Sequence, residues 1–255
     1  MTAVSLPERW HDGATALGAW MFLREPLLAE AAGRAGYDYV CIDMQHGLAS
    51  FTDAVAMLQA LASSTATPVV RVPWSEPGII GRVLDAGALG VIIPMVNSAV
   101  EAERAVAACR YAPDGARSFG PLTAMMRHGF QYLGTANQQV ACLPMIETVE
   151  AVERIDEILA VPGVDAVYVG PSDLSLTMGL PPLADHDDAR FQDALATVVD
   201  ACARHRVVPG IHASPALAGA RAAQGFRMIT VGYDQTPVMA ALRADLASSR
   251  SAVDG

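Results

Sequence analysis

The chain has no lysine: all 17 of its basic residues are arginine. That excludes any reaction that begins with a Schiff base on a lysine amine. Paired cysteines are missing too. Cys41, Cys109, Cys142 and Cys202 stand far apart with no C-x-x-C spacing, which disfavours both a zinc cluster and a disulfide framework. Cys41 and Cys142 fall in apolar runs, where a reduced thiol packs as a small hydrophobe. No apolar stretch reaches the roughly 18 residues of a membrane span without a Gly, Pro or charge. The start, Met1 to His11, carries Glu8 and Arg9 and lacks the apolar core of a signal peptide. A cytoplasmic protein without a membrane partner is expected. There is no basic run and no aromatic ladder, and 17 basic against 27 acidic residues give a net charge of −10. A nucleic-acid surface is therefore not expected, and an anionic substrate must be met locally, by Arg or by a metal.

What is present is apolar and periodic. Hydrophobic residues make up 52% of the 255 and charged residues 17%, enough for one large core. Apolar, β-branched runs predict strands at 17–22, 38–43, 68–72, 90–95, 140–146, 165–170, 207–211 and 228–232. Helical patterns follow each, at 25–36, 51–63, 76–88, 98–110, 148–160, 188–205, 214–225 and 236–249. Eight strands alternating with helices imply right-handed βαβ units and a parallel sheet. At this length they favour a single α/β domain over residues 1–255, a closed (β/α)8 TIM barrel. No G-x-G-x-x-G follows the first run, against an open dinucleotide-binding sheet. The connection from Ala112 to Gln139 is longer than the roughly 12–15 residues of ordinary loops. It carries Phe119, Met125, Met126, Phe130 and Tyr132, so helical pieces acting as a lid or a subunit contact are expected there.

Active sites of such barrels sit at the C-terminal ends of the strands. Glu147 closes the run Val140–Ile146, and Asp173 follows Ala166–Gly170 across Pro171-Ser172. Two carboxylates on adjacent strand ends suit a hard divalent cation with positions left for water and substrate; as helix-start acids they would merely complement a dipole. The second run ends Asp43-Met44-Gln45-His46-Gly47, which puts Gln45 and His46 at the same edge. His46 is a general-base candidate, or a loop histidine satisfied by backbone. His212, after Gly210-Ile211, is the other histidine at a strand end. Arg71 interrupts the apolar run Pro68–Val72 and must face an anion. That anion is either a buried acid such as Asp43 or Asp85, or a substrate carboxylate or oxyanion. Asp85 is likewise the odd residue in Val83-Leu84-Asp85-Ala86-Gly87.

The segments Asp43-Met44-Gln45-His46-Gly47, Val70-Arg71-Val72-Pro73, Leu84-Asp85-Ala86-Gly87, Pro94-Met95-Val96, Met145-Ile146-Glu147-Thr148 and Val169-Gly170-Pro171-Ser172-Asp173-Leu174-Ser175 carry a resemblance over nearly the whole chain. In this order they resemble the metal-dependent (class II) pyruvate aldolases. That family includes 4-hydroxy-2-oxoheptanedioate aldolase and 2-dehydro-3-deoxyglucarate aldolase, and is related to the citrate lyase beta subunit. The resemblance implies an enzyme that cleaves and forms 4-hydroxy-2-oxo acids, giving pyruvate plus an aldehyde. By the same resemblance Glu147 and Asp173 would hold Mg²⁺, Mn²⁺ or Co²⁺. The backbone N–H groups of Ser172 and Asp173 would bind the pyruvate carboxylate. Arg71 would stabilise the enolate oxygen, His46 oriented by Asp85 would be the base, and Gln45 would border the substrate. Family members exchange the last helix between subunits of a hexamer, a trimer of dimers, which places the segment after Asp234 on a neighbour. Two positions depart from the family pattern: Gln45 where Glu is common, and Met145 where Gln is common. Both remove polarity or charge near the metal and bear on its surroundings and on substrate preference. The alternatives are a CoA-thioester lyase of the citrate lyase beta type, for which no basic groove is visible, and a 2-oxo acid binding protein that performs no chemistry.

Overall fold

The structure is a computed structural model that describes residues 3–11 and 13–254. A short helix α1 (Leu6–His11) precedes the first strand. The order is then β1 (Ala16–Met21), α2 (Pro26–Arg34), β2 (Tyr39–Asp43), α3 (Phe51–Leu61), β3 (Thr67–Arg71), α4 (Pro77–Asp85), β4 (Gly90–Ile93) and α5 (Ala99–Cys109). The long connection holds α6 (Leu122–His128) and α7 (Tyr132–Gln139). The second half runs β5 (Ala141–Ile146), α8 (Val149–Glu153), α9 (Ile155–Leu159), β6 (Ala166–Val169), α10 (Pro171–Thr177), α11 (Ala189–His205), β7 (Val208–His212), α12 (Ala218–Gln224), β8 (Met228–Tyr233) and α13 (Gln235–Asp254).

All eight strands pair in parallel and close on themselves, β8 against β1. The expected (β/α)8 TIM barrel is the observed architecture. Several helix starts follow from local chemistry. Ser50 and Asp53 form a reciprocal capping box on α3, and the Thr148 hydroxyl accepts from the Ala151 N–H at 3.0 Å to open α8. The helix expected at 148–160 is broken in two at Arg154, whose backbone (φ −105°, ψ 17°) leaves the helical range.

Side chains pointing into the barrel form one core, with Trp20, Tyr39, Tyr168 and Leu143 fully buried. A larger one lies between strands and helices. Each such side chain contributes roughly 1.5–3 kcal/mol through burial. Tyr39 fits because residue 18 is glycine: a Cβ there would lie 2.0 Å from its ring. The seam between β8 and β1 is pinned by Asp234, whose carboxylate accepts from the Phe22, Leu23 and Gln235 N–H groups at 3.0, 2.7 and 2.8 Å.

The 112–139 connection contains α6 and α7, but none of its described residues lines the cavity described below, so they form no lid over their own site. Arg117 anchors it, with Nη2 donating to Asp85 Oδ1 at 2.8 Å and the guanidinium 4.4 Å from the Tyr111 ring. Met126 and Phe130 are left 80% and 88% exposed, an apolar surface facing away from the barrel. The last helix, α13, is exposed from residue 236 to 253, with Val238, Leu242 and Leu246 at i, i+4 spacing in solvent. No helix among the described residues is long and apolar enough to cross a membrane.

Candidate active site

A cavity of about 180 Å³ opens at the C-terminal ends of the strands. That is smaller than the roughly 300 Å³ at which drug-sized pockets begin, and suits a small acid. Arg71, Glu147, Ser172, Asp173 and His46 all line it. β3 delivers Arg71, and β2 delivers Asp43 directly opposite in the strand register. The guanidinium donates to Asp43 in a two-point pair, Nε to Oδ1 at 2.9 Å and Nη2 to Oδ2 at 2.5 Å. The Trp20 indole N–H adds a third donor to Asp43 at 3.1 Å, and the Gln45 and His46 N–H groups donate at 2.9 and 3.2 Å. Burial alone would raise the Asp43 pKa, but the Arg71 hydrogen bonds and charge hold it below the usual carboxylate range. Arg71 therefore pairs with Asp43, one of the two anions the sequence offered it as structural partners, and it also borders the cavity.

The opposite wall is built differently. Glu147, at the end of β5, is 2% exposed, and its Oε1 accepts from the Met95 N–H at 2.7 Å. Met95 is held at φ 57°, a left-handed backbone rare for such a side chain, and this turns its N–H toward the carboxylate. Loss of hydration pushes the Glu147 pKa up to about 7; the Met95 hydrogen bond opposes the rise and the charge of Asp173 adds to it. Gly170 makes the room, since a Cβ there would come within 2.6 Å of Glu147 Oε2. Asp173 and Ser172 stand in the first turn of α10, with Pro171 at its first position. The helix ladder begins with Leu174 N–H to Gly170 O, so the Ser172 and Asp173 N–H groups precede it. Among the described residues no three His, Cys, Asp or Glu side chains converge as metal ligands. The chain offers a cation two carboxylates and open space.

Two predicted site residues are not brought to the cavity. Asp85 sits at the end of α4 and is paired with Arg117, so it does not orient His46 within the chain. The guanidinium came from the long connection, 32 residues away in sequence. Gln45 borders no part of the cavity, and its Oε1 is buried without a hydrogen-bond partner. The His46 ring, exposed at the rim, makes no hydrogen bond among the described residues. Trp20, Phe22, Met145 and Tyr168 also line the cavity, as does His212. Of these five, only His212 and Met145 had drawn notice in the sequence, by strand position and by departure from the family pattern.

The chain matches the model of the HpcH/HpaI aldolase/citrate lyase family over residues 16–241. It is 42% identical to a hydroxypyruvate/pyruvate aldolase of Rhizorhabdus wittichii, covering 95% of this chain and 97% of that one. It is 37% identical to a 5-keto-4-deoxy-D-glucarate aldolase of Shigella dysenteriae, with 86% of each chain covered. Among solved structures, a HpcH/HpaI aldolase/citrate lyase family protein from Burkholderia cenocepacia superposes with a TM-score of 0.87 at 35% identity, over 96% of this chain and 98% of that one. With cavity, strand ends and carboxylates in the same fold, the chain belongs to the HpcH/HpaI aldolase/citrate lyase family and is a carbon–carbon lyase.

Proposed function

We propose that the protein cleaves and forms 4-hydroxy-2-oxo acids, interconverting them with pyruvate and an aldehyde, and that it needs a divalent cation, Mg²⁺, Mn²⁺ or Co²⁺, held by Glu147 and Asp173. The observation that carries this reading is the cavity's polarity: two carboxylates face a guanidinium across a space that fits a small 2-oxo acid. The residues fit a cation. Glu147 is a buried carboxylate with one N–H partner and a second carboxylate nearby, a charge deficit that a divalent ion would fill. When bound, the cation would supply Lewis-acid polarisation of the keto oxygen.

The protein's own groups would do the rest. The Ser172 and Asp173 N–H groups would take the substrate carboxylate, since Pro171 offers none. Arg71 keeps Nε and Nη2 on Asp43, which fixes the guanidinium plane and turns its remaining donors to the oxygen on which negative charge collects. His46, at the rim, would remove the C4 hydroxyl proton in cleavage. The C3–C4 bond then breaks, its electrons passing to the keto oxygen, and the aldehyde leaves. Within one chain Asp85 is held by Arg117 and does not reach His46.

Chelation should abolish turnover, and Mg²⁺, Mn²⁺ or Co²⁺ should restore it. In D₂O the metal-loaded protein should exchange pyruvate methyl protons without any aldehyde. His46→Ala should slow that exchange by roughly 10²–10⁴. Full activity after exhaustive chelation, or in Glu147→Ala, would sink the reading. Absence of exchange in the wild type would favour a binding protein. The exposed apolar row on α13 supports a further part of the proposal, that the helix is covered by a neighbouring copy in a hexamer of exchanged helices. Light scattering on the full chain tests it.

A further inference from the structure

His212 is a polar side chain in the cavity that the proposed reaction does not use. It stands at the end of β7 among aromatic rings, 4.8 Å from Trp20 edge-on and 5.2 Å from Tyr233. Its Nδ1 meets the Tyr168 hydroxyl at 3.4 Å, and behind it runs a buried file of hydroxyls. Tyr168 O–H lies 2.6 Å from Thr230 Oγ1, which lies 2.8 Å from Tyr39 O–H.

Tyr39 neighbours the Tyr168 hydroxyl as well as Thr230, so the file satisfies its protons with either tautomer of His212. Burial pushes both phenols up in pKa, so their protons stay in place. Desolvation first, then the nearby Arg71 charge, lowers the His212 pKa to about 4, which keeps the ring neutral. Nδ1 is engaged by Tyr168. Nε2 has no hydrogen-bond partner among the described residues and is not sealed in. The ring thus presents one polar nitrogen, a donor or an acceptor, to the cavity.

We propose that His212 reads a hydroxyl on the carbon next to the keto carbon of the donor acid, so that the enzyme sorts 3-hydroxy-2-oxo acids from unsubstituted 2-oxo acids. The location follows from Trp20. The Arg71 guanidinium, assigned to the keto oxygen, lies 5.0 Å from the Trp20 ring, and His212 abuts the same ring. The substituent reaching that corner of the cavity is the one on the neighbouring carbon. A methyl hydrogen there leaves Nε2 unpaired, whereas a hydroxyl pairs with it as acceptor or as donor. A site built around a hydrogen bond rejects the analogue that lacks the group.

The inference rests on the aldolase reading, and the test separates the two. The full-length protein, loaded with Mn²⁺, is given pyruvate or hydroxypyruvate with one fixed aldehyde. The ratio of kcat/KM for the two donors is compared in wild type, His212→Phe and His212→Gln. In parallel, binding of each donor without aldehyde is measured by calorimetry. The phenylalanine keeps the aromatic packing and loses the polar nitrogen, so the preference for hydroxypyruvate should fall about tenfold in both assays. The glutamine amide, which can donate or accept, replaces Nε2 and should recover most of it. Equal losses for both donors would make His212 merely structural and overturn the proposal. So would a change that follows the hydroxyls of the aldehyde. A wild type without turnover would overturn the aldolase reading, and the binding ratio would then decide for or against His212 by itself.

Discussion

On the β2–β3 side of the cavity a buried carboxylate, Asp43, is met by a guanidinium and three N–H donors. On the β5–β6 side a buried carboxylate, Glu147, is met by one N–H and a second acid. The same functional group is thus depressed in pKa on one wall and raised to about 7 on the other. The first wall is complete in the protein alone. It holds a cation-bearing side chain rigid for use on an anion. The second has no cationic group of its own in hydrogen bond to Glu147 among the described residues, and under the proposed function a divalent ion would supply that charge.

Arg71→Ala should break the finished wall with the largest effect. It leaves Asp43 a buried charge without its counter-ion, for which about 3–5 kcal/mol of stability is expected to be lost. Turnover should fall by about 10²–10³ for every aldehyde, as for the loss of one oxyanion donor. Denaturant melts and steady-state rates measure both. Arg71→Lys should recover little, because an ammonium cannot span both Asp43 oxygens. A loss that varied with aldehyde identity would move Arg71 to the aldehyde side.

Glu147→Gln should do the reverse to stability in metal-free protein. The folded pKa of about 7 lies above the ordinary 4.5, so the folded state holds the proton more tightly. The contribution is present in full below pH 4.5 and lost as pH rises through 7. At pH 8 the wild type should therefore be about 3 kcal/mol less stable than the Gln variant. Added Mg²⁺ should stabilise the wild type and leave the variant unchanged. A variant no more stable than wild type at pH 8 would remove the charge deficit.

His212 gives the next effect, in the opposite pH direction. Its folded pKa of about 4 lies below the ordinary 6.5, so the unfolded chain binds the proton first as pH falls. Stability should drop on going from pH 7.5 to 5 by on the order of 2 kcal/mol, with Arg71 opposing protonation and Asp43 favouring it. His212→Phe should flatten that slope in thermal melts. The smallest change expected is Trp20→Phe, which removes one of the donors to Asp43 and should cost about 1 kcal/mol. A cost near that of Arg71→Ala would mean that the indole, and not the guanidinium, holds the carboxylate.

The eight strands and most helices were legible because burial on both faces of a parallel sheet writes itself as runs such as Val69-Val70 and Val91-Ile92-Ile93. Arg71, Glu147 and Asp173 were legible because strand ends and odd charges in apolar runs are local signals. The partner of Asp85 within the chain was not legible: an acid on an apolar helix face announces a buried partner but not which one, and Arg117 arrives from a distant connection. Met95 carries no sequence signal for its φ of 57°, since the strain is imposed by what surrounds it. The hydroxyl file behind His212 draws Tyr39 and Thr230 from two other strands, and it exists only after the barrel closes.

Asp234 is the last residue before α13, and its carboxylate holds three backbone N–H groups where the first and last strands meet. That makes it a mechanical boundary. Thermal swings of the protruding helix, or a pull from whatever it docks against, end at this carboxylate before reaching Phe22 and the cavity wall. The helix can therefore change its position while the mouth of the barrel keeps its shape.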